Sequence, residues 1–124
     1  MHESALTEDL FEHVLIHARE AGARRVIRVK VTIGALSDAT LESITFYFTS
    51  LAPGTLAEGA ELEFATAPGT AHCGACGRDV EVDDLYAVCP ECGSFPVTIT
   101  GGNGVYLSSL ELETDGDQPV HLDE

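Results

Sequence analysis

The sequence predicts an α+β fold in which a small mixed or antiparallel sheet is covered by two helices. The first observation is the order of the periodic segments, which runs helix, strand, helix, strand and then, after a gap, two more strands. The second observation is the gap itself, where four cysteines and several glycines replace large apolar residues. We therefore expect a core of sheet and helices with an inserted module built on cysteine.

Both helices are predicted from apolar residues that recur every three or four positions. The first covers residues 4–21, with Ser4 as the expected N-cap. The second covers residues 40–51, where Thr40 is placed to cap the first turn and Pro53 ends the helical pattern.

The strands are predicted from alternation of apolar and polar side chains, which is typical of a half-buried strand. Residues 25–33 alternate most regularly, and residues 60–67, 97–100 and 105–113 are the further strand segments. The glycine-rich residues 101–104 are expected to form a hairpin turn between the last two strands. We expect the strands on both sides of the cysteine segment to join one sheet.

The four cysteines form two C-x2-C pairs, Cys73 with Cys76 and Cys89 with Cys92. Two such turns facing each other present four thiolates, which is the donor set of a closed, tetrahedral zinc site. Soft sulfur ligands favour zinc, with iron as the main competitor. The module is therefore predicted to resemble a zinc ribbon with a structural Zn²⁺, and two disulfides or free thiols are the alternative.

The composition divides the chain into three parts. Residues 1–69 together with 96–113 are expected to form one α/β domain. Residues 70–95 contain too few large apolar residues to fold alone, so metal binding must stabilise them, by about 10–16 kcal/mol for structural zinc in small modules. Residues 114–124 are rich in acids and are expected to be a disordered tail.

The net charge of −15 means that most of the surface should repel phosphate backbones. Five of the six basic residues fall within twelve positions, and they form either a local basic patch or an ordinary solvated face. The patch would suit a zinc-ribbon module that binds nucleic acid or joins transcription machinery, which is the alternative function. The five are Arg19, Arg24, Arg25, Arg28 and Lys30.

The chain begins Met1-His2-Glu3, which places an imidazole beside the terminal amine. These nitrogens and the intervening amides can close chelate rings on Ni(II) or Cu(II), which accept a square-planar, all-nitrogen set. An idle, frayed terminus is the alternative on chemical grounds alone. His13 and His17 share a helical face, but without a glutamate between them they do not form the zinc motif of metalloproteases. The sequence leaves open whether a further ligand comes from His13, His17 or His72.

The chain resembles the HypA/HybF family of hydrogenase maturation proteins, which insert nickel. The resemblance covers about residues 1–113 in one register. It rests on these segments: Met1-His2-Glu3 with Leu6, Ile33-Gly34-Ala35-Leu36-Ser37, Leu41-Glu42-Ser43-Ile44-Thr45-Phe46, the pairs Cys73-x2-Cys76 and Cys89-Pro90-x-Cys92-Gly93-Ser94, and Ile99-Thr100-Gly101-Gly102.

The resemblance implies a nickel metallochaperone and not an enzyme. It implies that Met1 and His2 bind Ni²⁺, that Glu3 belongs to the same site or to a docking surface, and that the four cysteines hold structural zinc. The partners that the resemblance implies are a HypB-type GTPase and the large subunit of [NiFe]-hydrogenase, with urease as a further recipient for some members of the family. No nucleic acid or membrane partner is expected, and the protein is expected to be a monomer or homodimer. The expected compartment is the cytoplasm, since no secretory or membrane segment is evident.

Overall fold

The computed structural model describes residues 2–115 and 119–123, with side chains from residue 5 to residue 115. The elements follow the predicted order but include three strands more than expected. They are α1 (His2–Glu20), β1 (Ala23–Gly34), α2 (Leu41–Leu51), β2 (Glu61–Ala67), β3 (Gly69–His72), β4 (Asp79–Val82), β5 (Thr98–Gly101), β6 (Val105–Thr114) and β7 (Pro119–Asp123).

The two helices confirm the periodicity, while one predicted cap is wrong. Ser4 lies inside α1, which already begins at His2, so it is not the N-cap. The cap of α2 is confirmed: the Ser43 N–H donates to Thr40 Oγ1 at 3.1 Å, and the Thr40 N–H donates to Ser43 Oγ at 3.3 Å. The helices pack against each other, and the rings of Phe11 and Phe48 meet edge to face with centroids 5.0 Å apart.

The strands form two sheets where we expected one. The larger sheet has the order β2-β1-β6-β7, and the smaller has the order β4-β3-β5. In the smaller sheet β3 pairs antiparallel with both neighbours. The glycine-rich residues 101–104 therefore link two different sheets and are not a hairpin turn, because β5 pairs with β3 and not with β6.

The C-terminal residues also differ from expectation. Pro119–Asp123 form β7, which pairs antiparallel with β6 through partners such as Val120 and Leu112. The prediction of disorder for residues 114–124 is therefore corrected for this segment. Counting acids overlooked the alternation of Val120 and Leu122 with polar residues, which is a strand signal. Residues 116–118 and 124 lie outside the described part of the chain.

The chain divides into two compact units. The first unit comprises Met1–Thr32, Ala39–Ala65 and Tyr106–Glu124, and its buried side chains come from both helices, β1 and β6. The second unit comprises Ile33–Asp38 and Thr66–Val105 and therefore contains the cysteine segment together with its flanking links.

The second unit has a small apolar core and a junction where backbones touch. Its buried core consists of Leu36, Ala71 and Val82. Leu36 is held there because its N–H donates to the carbonyl of Gly102 at 2.8 Å. A Cβ on Gly34 would stand 2.2 Å from that same carbonyl oxygen, so only glycine fits at position 34. The Ile33-Gly34 and Gly101-Gly102 motifs thus mark one packed junction.

Candidate metal centre

The two C-x2-C turns, here called knuckle 1 (residues 73–78) and knuckle 2 (residues 89–94), have the same backbone hydrogen bonds. In knuckle 1 the N–H of Cys73 donates to the carbonyl of Arg78 at 2.9 Å, and the N–H of Gly77 donates to the carbonyl of Cys73 at 2.8 Å. Gly77 has φ 76°, which the turn requires and which side chains resist. Knuckle 2 repeats both bonds, at 2.9 and 2.8 Å, through Cys89, Gly93 and Ser94.

The knuckles bring the four cysteine sulfurs together. All four ligand atoms lie within 4.8 Å of one another. The Sγ atoms of Cys73 and Cys92 are 3.6 Å apart, and those of Cys76 and Cys89 are 3.8 Å apart. A tetrahedron with zinc–sulfur bonds of about 2.3 Å has edges of roughly 3.8 Å, so the donor set fits Zn²⁺. None of the four cysteines forms a disulfide bond, and the sulfur separations of 3.6 and 3.8 Å are far longer than an S–S bond, which argues against the disulfide alternative.

The four thiols differ in exposure within each knuckle. Cys73 and Cys89, the first of each pair, are buried at 0% and 1% relative exposure. Of the second cysteines, Cys76 is half-buried and Cys92 is exposed. Solvent therefore reaches the cluster mainly on the side of Cys92.

The second cysteines of the two knuckles also differ in acidity. In the metal-free cluster, hydrogen bonds from the side chain and backbone of Ser94 lower the pKa of Cys92 to about 6. The backbone of Arg78 likewise lowers the pKa of Cys76, but desolvation and hydrogen bonds with the other thiols outweigh it and raise that pKa to about 11. The largest cause at Cys92 is the Ser94 hydroxyl, which lies 3.3 Å from its sulfur, and hydrogen bonds among the thiols, which lower the pKa of Cys92 but raise that of Cys76, add to the difference.

Two polar contacts support the cluster from outside. The Arg78 guanidinium donates to Glu91 at 2.8 Å and so joins knuckle 1 to knuckle 2. His72 Nδ1 lies 2.9 Å from a carboxylate oxygen of Asp79, which leaves this imidazole paired beside the knuckle rather than among the sulfurs. Ser94 and the Arg78–Glu91 pair were not assigned roles from sequence. Aligning the two knuckles would have placed Ser94 opposite Arg78 and revealed the difference.

The predicted nickel ligands lie at the edge of what the structure describes. Met1 is outside the described residues, and His2 and Glu3 are described only as the backbone of the first turn of α1. Among the side chains that are described, the four cysteines form the one group of three or more metal-binding residues. His13 is exposed and His17 is half-buried on α1.

The basic cluster on β1 is largely neutralised within the first unit. Arg24 and Arg25 both pair with Glu113, at 3.5 and 2.9 Å. Arg28 pairs with Glu61 and Glu63, each at 3.0 Å, and also with Glu111. The hydrogen bond with Glu61 and the charge of Glu111 raise the pKa of Arg28 further. These three arginines therefore form ion pairs with carboxylates of the same unit, and they do not form an unpaired basic patch.

Fold and site together define a small α+β metal-binding protein with a four-cysteine cluster. The family model described as hydrogenase/urease nickel incorporation, metallochaperone, hypA matches residues 1–112. The chain belongs to the HypA family.

Named relatives match over their whole length. The chain is 40% identical over 113 residues to hydrogenase maturation factor HypA 2 of Bradyrhizobium diazoefficiens, covering 91% of this chain and 100% of that protein. It is 41% identical over 113 residues to hydrogenase maturation factor HypA of Moorella thermoacetica, with the same coverage. These proteins are named as maturation factors and not as enzymes.

Two solved structures share the fold. The solution structure of the Ni metallochaperone HypA from Helicobacter pylori aligns with a TM-score of 0.74 and 28% identity, covering 91% of this chain and 98% of that one. A second solution structure, of a HypA protein, aligns with a TM-score of 0.71 and 29% identity, covering 93% and 98%. No helix within the described residues is long and apolar enough to cross a membrane.

Proposed function

We propose that this chain carries Ni²⁺ on its N-terminal residues and delivers it during maturation of [NiFe]-hydrogenase. Met1 would supply the amine, His2 the imidazole, and Glu3 an amide nitrogen or a docking carboxylate. The observation that carries the proposal is that α1 begins at His2, within a family match that starts at residue 1. The first N–H groups of a helix have no acceptor inside the helix. Nickel can therefore replace the amide protons of His2 and Glu3 without breaking a helical hydrogen bond.

The second metal would be resident zinc held by Cys73, Cys76, Cys89 and Cys92. Four thiolates leave no open position, so this ion would stabilise the second unit and perform no chemistry. Because these ligands are all used in one cluster, nickel must be bound elsewhere, which agrees with a terminal nitrogen site. A carrier must also release its cargo, and an exposed terminus permits release more readily than a buried cage.

The partners we propose are a HypB-type GTPase that handles nickel and the hydrogenase large subunit as recipient, with urease as the alternative recipient. The protein would act as a carrier, as a monomer or homodimer. Its compartment would be the cytoplasm, where reducing conditions keep thiolates available for zinc. The net charge of −15 would help to attract cations and basic partner surfaces.

The nickel site is tested by titrating Ni²⁺ into zinc-loaded protein that has its native N-terminus. His2→Ala should abolish tight binding, while His13→Ala, which removes an exposed histidine from the same helix, should leave it unchanged. Adding one residue before Met1 should also weaken binding, because it moves the amine away from the imidazole. Zinc content and circular dichroism should not change in any variant. Equal nickel affinity of the His2 variant and the parent would refute the site.

The nucleic-acid alternative is disfavoured by the pairing of Arg24, Arg25 and Arg28 with acids. A filter-binding titration at several salt concentrations separates the two functions. We expect no saturable binding to DNA or RNA even at low salt. A steep fall of affinity with salt would instead indicate several phosphate contacts and support the alternative.

A further inference from the structure

We propose that Cys92 is the exchanging ligand of the four-cysteine cluster, the thiolate that leaves the metal first and the site where soft carbon electrophiles of the α,β-unsaturated carbonyl class react. Ser94 is the positioning residue that favours this exchange. The inference rests on the proposed metal assignment of the four cysteines. It concerns what happens to the second unit when the cluster opens, and it is independent of the nickel site.

The two knuckles can be compared directly, because each has the same two backbone hydrogen bonds, at 2.9 and 2.8 Å. They differ at their last residue. In knuckle 1 this residue is Arg78, whose side chain is turned to Glu91. In knuckle 2 it is Ser94, whose hydroxyl lies 3.3 Å from Cys92 Sγ. Cys76 and Cys92 are therefore equivalent in backbone position and different in the groups around sulfur.

The hydroxyl favours the thiolate that has left the metal. A thiolate has no proton to donate, so in this state the Ser94 hydroxyl must be the donor. A sulfur bound to a metal shares its charge, whereas a free thiolate carries the whole charge and gains more from a hydrogen-bond donor. Ser94 itself is held in place, since its carbonyl accepts the N–H of Cys89 at 2.9 Å. The hydroxyl therefore stays beside Cys92 when the bond to the metal breaks.

Exposure points to the same cysteine. Cys73 and Cys89 are at 0% and 1% relative exposure, so an electrophile cannot reach their sulfurs without unfolding the knuckles. Cys76 is half-buried and Cys92 is exposed. An exposed thiolate is the one that both water and a reagent can reach.

The reaction balances without an added oxidant. With a metal held by the four cysteines, Cys92 Sγ would leave it as a thiolate that keeps the electron pair of the metal–sulfur bond. The thiolate adds to the β-carbon of the unsaturated carbonyl compound, forming an S–C bond while the C=C π bond breaks. The resulting enolate takes a proton from water. The product is a thioether at Cys92, and the three remaining thiolates would hold a metal less tightly.

The experiment treats the zinc-loaded, full-length chain with less than one equivalent of N-ethylmaleimide. Peptide mass spectrometry locates the first adduct, and a chromogenic chelator follows zinc release. We expect the adduct at Cys92 with little at Cys76, and zinc release at the same rate as modification. Ser94→Ala should slow both roughly 3- to 10-fold, the effect of losing one hydrogen bond of ordinary strength, and Ser94→Thr, which keeps the hydroxyl, should restore the rate.

A matched pair of variants tests the knuckle comparison directly. Arg78→Ser places a hydroxyl at the equivalent position of knuckle 1 and should raise the share of adduct at Cys76. Arg78→Ala removes the contact with Glu91 without adding a hydroxyl and should not. Adduct first at Cys76 in the parent chain, or equal rates for the Ser94→Ala variant and the parent, would overturn the proposal. A chain that purifies without zinc would instead contradict the metal assignment, so the two failures are distinguishable.

Discussion

Three glycine-to-alanine variants separate steric contact from backbone strain in this fold. A Cβ added to Gly34 would lie 2.2 Å from the carbonyl oxygen of Gly102. Gly54 has φ +80°, and a Cβ added there would have no atom within 4 Å. Gly102 combines both conditions, with φ +77° and a Cβ position 2.2 Å from the carbonyl oxygen of Pro68. Gly34→Ala therefore reports the contact, Gly54→Ala reports the strain, and Gly102→Ala reports both.

The magnitudes follow from the contacts at the junction. Ordinary contact with a Cβ begins at 3.4 Å, so an alanine at position 34 must move the opposing backbone by more than 1 Å. Such a shift breaks or stretches the 2.8 Å hydrogen bond from Leu36 to Gly102 and the 2.8 Å bond from Gly34 to Gly104. Two lost bonds at about 1 kcal/mol each and about 1–3 kcal/mol of overpacking give a destabilisation of roughly 3–5 kcal/mol. The strain at Gly54 alone is worth about 1–2 kcal/mol.

The assay is chemical denaturation of the zinc-loaded proteins, with amide hydrogen exchange of Leu36 as a local measure. Gly34→Ala should lower the free energy of unfolding more than Gly54→Ala, and Gly102→Ala should lower it most or prevent folding. Exchange at Leu36 should accelerate in the Gly34 variant and stay unchanged in the Gly54 variant. If Gly34→Ala were as stable as the parent, the reasoning about backbone contact at the junction would be refuted.

Three further predictions concern a core, a cap and the metal. Ile44→Ala removes a side chain at 1% exposure and should lower the free energy of unfolding by about 2–5 kcal/mol. Phe46→Ala removes a side chain at 66% exposure on the same helix and should change that free energy far less. Thermal denaturation compares the two variants. Thr40→Ala removes the acceptor for the Ser43 N–H and should cost about 0.5–2 kcal/mol, whereas Thr40→Ser should recover most of the loss, as checked by urea titration. Removing the metal with a strong chelator should abolish amide protection in β3 and β4, because the second unit has so small an apolar core; unchanged protection in metal-free protein would contradict this.

Local sequence signals predicted the helices and the cysteine cluster well. The cap of α2 and the C-x2-C turns each depend on residues a few positions apart, so short segments of sequence determine their geometry. The start of α1 was misplaced because Ser4 is a good cap residue that the structure places inside the helix.

Features that depend on distant residues could not be read from the pattern. The alternation within residues 25–33 places Ile27 on the same face as Val29 and Val31, but in the structure Val26 is buried and Ile27 only partly so. The N–H of Val26 donates to the carbonyl of Leu56, outside β2, which no local pattern indicates. The separation into two sheets is also non-local, since β5 pairs with β3, which lies far from it in the sequence, and not with β6, which directly follows it.

The scarcity of buried side chains in the second unit has a consequence for the life of the protein in a cell. With three buried residues in its apolar core and four partly buried ones packed against them, we expect that unit to depend on a bound ion for most of its stability. A newly made chain without its ion would spend much of its time partly open, and open segments are what cellular proteases degrade. We expect the abundance of this protein to follow the supply of the ion that its four cysteines would hold, so that a cell starved of that ion would contain less of the protein.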